Sequence, residues 1–145
     1  NSIMKKIVFI FLSVLLLSSC KKKDDSYFNI SILSTTPTSL QEFQENITVE
    51  IEFEHNNGFM GFDDPDYLSL EVKDSRLLNA DYYHLIPLNP PNSELEIKGI
   101  IKLEIDAPFI LGSGNFETLF FSIRIQDREG EWSNQISTPL ISVSR

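Results

Sequence analysis

The sequence predicts an all-β domain of about seven short antiparallel strands folded as two packed layers. Three observations carry this. Apolar residues recur at every second position over three long stretches, Pro and Gly fall between those stretches, and nothing after residue 20 sustains a capped helical period. The chain of 145 residues divides into a leader (1–19), a short charged tether (20–26) and one folded unit (27–145) of ordinary domain size.

The strands follow in order. Phe28, Ile30 and Ile32 begin a first strand. Ile47, Val49, Ile51 and Phe53 alternate with Thr48, Glu50, Glu52 and Glu54, the mark of a strand with one buried face. Leu68, Leu70 and Val72 give a third, and Tyr82 to Ile86 a fourth. Leu95, Ile97, Gly99, Ile101, Leu103 and Ile105 alternate with charged neighbours, as do Leu119, Phe121, Ile123 and Ile125 with Thr118, Ser122, Arg124 and Gln126. Ile136 to Val143 closes the set, and Pro139 within it suggests an edge, where a missing N–H is harmless. Ser39 to Glu45 is polar and short, enough for one helical turn.

Strands that are polar on one side need a second sheet to cover the other. That is the logic of an immunoglobulin-like or fibronectin-type sandwich, with a small barrel as the competing closure. Cys20 is the only cysteine, so no disulfide within the chain assists the core.

The leader reads as an export signal. Met4, Lys5 and Lys6 form a positive start after Asn1 to Ile3, and Ile7 to Leu17 form an apolar run too short for a comfortable membrane span. It ends in Leu17-Ser18-Ser19-Cys20, which resembles the lipobox of bacterial lipoproteins. The resemblance implies cleavage before Cys20, a diacylglycerol on its sulfur, and anchoring through acyl chains, each buried methylene contributing roughly 0.8 kcal/mol. Lys21, Lys22, Lys23, Asp24 and Asp25 form a solvated charge run. The run also resembles the export signal of Bacteroidetes-type lipoproteins, which implies a lipid-anchored protein of the outer membrane facing the cell exterior, with a periplasm-facing anchor as the alternative.

Removing Lys5 and Lys6 leaves ten of the 12 basic groups against 21 acidic ones, a formal charge of −11. Nucleic acid is therefore not expected as a partner, since basic side chains supply most of that affinity.

Two segments stand out as candidate sites. Phe53 to Asp66 resembles a loop of small Bacteroidetes sandwich lipoproteins in which acidic residues alternate with glycine. Gly58 and Gly61 fit, but His55, Asn57 and Phe59 occupy the positions expected to be acidic, which removes the charge a hard cation needs. Asp63, Asp64 and Asp66 remain as weak metal candidates, more simply a solvated turn. Asp127, Arg128, Gly130, Ser133, Asn134 and Thr138 match the turn that ends the penultimate strand in the same lipoproteins and in many bacterial immunoglobulin-like domains, with Glu129 and Glu131 as departures. The residues alone agree with a structural role: Gly130 for positive φ, Asp127 for bonding its own turn.

Trp132 at this turn and Tyr82 and Tyr83 on a strand are the aromatics suited to gripping a sugar or a protein. His55 and His84 stand in no recognised arrangement with a nucleophile, and no phosphate loop, zinc cluster or cofactor motif is present. The reading is a non-enzymatic lipoprotein with no cofactor, binding a glycan or protein outside the cell through membrane-distal loops. An accessory subunit of an envelope complex is the alternative, and a hydrolase with an unfamiliar site the remote one. Intact-mass analysis of the membrane fraction should find residues 1–19 absent and a diacylglycerol on Cys20, whereas Cys20→Ser should leave the leader uncleaved; an unmodified Cys20 would refute the address.

Overall fold

The computed structural model describes residues 27–56, 60–88 and 97–145. The leader, Cys20 and the Lys21 to Asp25 run lie outside these, as do Asn57, Gly58 and Phe59. The described chain is all-β, consistent with a sandwich, and has no helix. Ten strands are present: β1 (Phe28–Thr36), β2 (Ser39–Gln41), β3 (Ile47–His55), β4 (Leu70–Asp74), β5 (Asp81–Tyr83), β6 (Ile97–Ile105), β7 (Phe116–Leu119), β8 (Phe121–Ile125), β9 (Ile136–Ser137) and β10 (Ile141–Ser144).

They form three sheets, ordered β1-β3-β6, β2-β10-β7 and β5-β4-β8-β9. Every pairing is antiparallel except the parallel pair of β2 with β10. The inward residues of β3 (Ile47, Val49, Ile51) share one core with Ile123 and Ile125 of β8 and Ile141 and Val143 of β10, all fully buried. Their period-two spacing is what places them all on one face.

Several elements depart from the sequence reading. The alternation from Leu119 to Ile125 is continuous, yet the strand breaks at Phe120, whose backbone exchanges bonds with Ser75 (2.9 and 3.0 Å). The stretch before the break pairs with β10 and the stretch after it with β4 and β9. Side-chain period carries no trace of a change of partner. The last strand is likewise two, because Pro139 has no N–H for a ladder. Thr138 spans the gap, its N–H donating to Phe121 O (2.9 Å) and its Oγ1 accepting from Phe121 N (3.0 Å). Of Ser39 to Glu45, Ser39–Gln41 is a strand and residues 42–44 make the single turn, with Gln44 N donating to Gln41 O (3.3 Å), and Tyr82 to Ile86 is a strand only through Tyr83.

Two glycines are dictated by close approach. A Cβ on Gly99 would meet the Phe53 ring at 2.8 Å, and one on Gly61, at φ +81°, would overlap the carbonyl of Ile86. The end of the fold away from Tyr27 is tied by Arg76, which donates to Asp74 (2.7 Å), Glu117 (2.6 Å) and Phe109 O (2.8 Å).

At the other end Asn134 joins two sheets. Its Nδ2 donates to Ile30 O (2.9 Å) and its Oδ1 accepts from Ile30 N (2.8 Å), so one side-chain amide occupies the free edge of β1 as a strand would. Asn134→Ala should cost about 1–3 kcal/mol, the usual consequence of orphaning a backbone pair. Urea unfolding checks this; an unchanged midpoint would show that the clamp contributes nothing.

Candidate functional site

The end of the sandwich where the described chain enters is built around one buried carboxylate. Asp127 Oδ1 accepts from the N–H groups of Glu129 and Glu131 (2.9 Å each), closing a turn in which Gly130 sits at φ +87°. Its Oδ2 lies 3.0 Å from His55 Nε2. His55 is 2% exposed and Asp127 4%, and Phe28 lies edge-on to the imidazole with centroids 4.7 Å apart. His55 is thus the last residue of β3 and not part of a loop, because it continues the inward alternation of Ile51 and Phe53.

The rest of this turn is equally occupied. Arg128 Nε donates to Gly61 O (2.8 Å), and Ser133 Oγ accepts from Ile125 N (3.0 Å) while donating to Asn134 O (2.9 Å). Tyr27 N donates to Asn56 Oδ1 (2.9 Å), which fixes the lead into β1 next to the end of β3. A His–carboxylate pair can orient a nucleophile, but this one is shut away from solvent, and the Ser133 hydroxyl beside Asp127's turn is engaged in strand bonding.

The same turn poses a row of side chains on the outer face of the β5-β4-β8-β9 sheet. Tyr82, Glu71 and Arg124 stand opposite one another across β5, β4 and β8. Glu71 takes a two-pronged grip from Arg124, Nε to Oε1 at 2.9 Å and Nη2 to Oε2 at 2.8 Å. The guanidinium lies over the Trp132 ring, 4.3 Å from its centroid. Trp132 itself bridges to Gln126, which lies just past the end of β8. Gln126 Oε1 accepts from Tyr67 (3.2 Å), and Tyr67 stacks on Phe62 with centroids 3.7 Å apart. The result is an aromatic strip around a neutralised ion pair, with Tyr82 46% exposed.

Titration reflects the row. Hydrogen bonding from Arg124 holds the Glu71 carboxyl below its ordinary value against the opposing effect of burial, with Tyr82 adding to the lowering. The Glu71 carboxylate in turn raises the Tyr82 phenol.

Of the aromatics singled out in the sequence, Tyr82 and Trp132 are therefore joined through Glu71 and Arg124. Tyr83, paired with Leu70, turns to the opposite face; it stays exposed, and partial desolvation, with the charges of Asp81 and Asp106, raises its phenol. Glu71, Arg124, Gln126, Tyr67 and Phe62 carried no sequence signal, since the first three look like any polar positions of alternating strands until the register is known. His84 is half-buried with Nε2 2.6 Å from Phe62 O. Asp63, Asp64 and Asp66 are exposed, and Asp64 Oδ1 accepts from Asp66 N (3.0 Å) as a turn bond; among the described residues no three metal-ligand side chains converge. The row lies on a sheet face, and Trp132 at its end shares the Tyr27 end of the molecule, away from the loops expected to bind.

Glu71 stabilises the fold through its lowered pKa, so its contribution is complete above the ordinary carboxyl value of 4.5 and is lost as pH falls through the folded value. Carboxyl NMR titration should show Glu71 below ordinary glutamates and moved upward in Arg124→Met; a Glu71 that titrates identically in both proteins would contradict the pairing.

Comparison of the chain with protein-family models, with curated proteins and with solved structures returns no match.

Proposed function

We propose that the chain is an outer-membrane lipoprotein, anchored through acyl chains on Cys20 and facing the cell exterior, whose domain is a non-catalytic binding module for an extracellular glycan. The observation that carries the proposal is the Tyr82–Glu71–Arg124–Trp132 row. A sugar ring is recognised by an aromatic face that covers its C–H surface and by neighbouring donors and acceptors that reach its hydroxyls. The row supplies both, Tyr82, Glu71 and Arg124 on strands and Trp132 on the turn closed by Asp127, which hold them in place before any ligand arrives. Because Arg124 is neutralised by Glu71, the strip offers no net charge to an anionic polymer and suits a neutral one.

We read the fold as immunoglobulin-like. The ten strands reduce to seven when β1 with β2, β7 with β8 and β9 with β10 are each taken as one strand interrupted at residues 37–38, Phe120 and 138–140. The parallel pairing of β2 with β10 fits a first strand that crosses from one sheet to the other. In this reading the ligand meets a sheet face on the flank of the sandwich and not the loops at its far end.

The full chain should bind neutral polysaccharides on a glycan array. Tyr82→Ala should weaken that binding about tenfold or more, an aromatic contact being worth roughly 1–3 kcal/mol at a hot spot, with Trp132→Ala comparable and circular dichroism unchanged. Absence of glycan binding, or equal binding by both variants, would overturn the proposal; capture of a protein ligand lost in the same variants would keep the surface and replace the ligand.

A further inference from the structure

The two edges of the β1-β3-β6 sheet are finished differently. That of β1 is occupied by the Asn134 amide. β6 is nine residues long and outermost in its sheet, and among the described residues nothing hydrogen-bonds to its outer edge. Alternate residues of an antiparallel strand turn their N–H and C=O groups to opposite sides, so about half of those of β6 face away from β3. Lys98, Ile100, Lys102 and Glu104 point outward from the sheet and are exposed, Ile100 at 61%. A long open edge is a template for another strand, which lysines ordinarily discourage.

We propose that β6 pairs antiparallel with β6 of a second copy of this chain, about a two-fold axis through Ile101. Residues opposite one another share a face, so the axis must pass through a residue, and charge selects which one. An axis at Ile100 sets Lys98 against Lys102 of the partner subunit. An axis at Lys102 sets that lysine against its own copy. Axes at Gly99 or Leu103 pair only five of the nine strand residues.

The axis at Ile101 pairs all nine. It sets Lys98 against Glu104 of the partner subunit, twice by symmetry, and lays Ile100 beside the aliphatic stem of Lys102 of the partner subunit. No like charges meet. On the inner side Ile101 meets its own copy and Leu103, half-buried, lies beside Gly99 of the partner subunit, extending the apolar layer across the interface. The axis runs along the sheet normal, so Tyr27 of one copy and Tyr27 of the partner subunit lie at opposite ends of the paired strands.

Sedimentation of the full chain in detergent tests this. The wild type should be a dimer at micromolar concentration. Lys98→Glu and Glu104→Lys should each raise the dissociation constant roughly tenfold by opposing like charges at two symmetric positions, with the fold intact by circular dichroism. The double variant should recover to within about threefold of wild type. Lys98→Glu also sets an acid beside Glu52, which Lys98 pairs at 3.3 Å, but that repulsion persists in the double variant, so recovery can arise only across the interface. A monomer at every concentration, insensitivity to the single changes, no recovery in the double variant, or a different protein crosslinked stoichiometrically at Lys98 would each overturn the proposal.

Discussion

A single buried carboxylate holds one end of this fold together. Asp127 has two oxygens, one committed to the backbone of its own turn and the other to His55 at the end of the facing sheet. Burying a carboxylate is costly unless its acceptor capacity is met, and here every oxygen is met by a group that the fold must deliver. The turn of residues 127–134 therefore cannot form correctly without β3 in register, nor β3 end correctly without the turn. Ser133, Asn134 and Thr138 extend the same coupling, each replacing a backbone bond that the irregular chain would otherwise leave open.

That coupling explains why the neighbouring outer face is preformed. Trp132 is carried by the turn, while Arg124 and Glu71 belong to the sheet. The guanidinium can lie over the indole only because Asp127 fixes where the chain reverses. Side chains locked by a cross-strand ion pair have little conformational freedom left to lose.

What the sequence disclosed was the one-sidedness of each strand and the chemistry of its turns. Period two placed Ile47, Val49, Ile51, Ile123 and Ile125 inside, and the residue types at 127–134 marked a turn whose members turn out to be bonded one by one. It disclosed neither sheet partners nor register, because these depend on distant segments. The break at Phe120 is invisible in an unbroken alternation. Glu71 and Arg124, separated by 53 positions, become a pair only through the β4–β8 register. His55 looked like a loop residue because its neighbours are polar and glycine-rich, yet Asp127 supplies the partner that permits its burial.

If Asp127 does couple the turn to both sheets, this end melts with the sandwich and not before it. Trp132 is the only tryptophan in the chain, so its fluorescence reports the turn alone, while far-ultraviolet circular dichroism reports the sheets. Denaturant unfolding followed by both signals should give superimposed single transitions. A fluorescence transition completed at lower denaturant than the loss of β-structure would show that the turn opens independently, and would contradict the account.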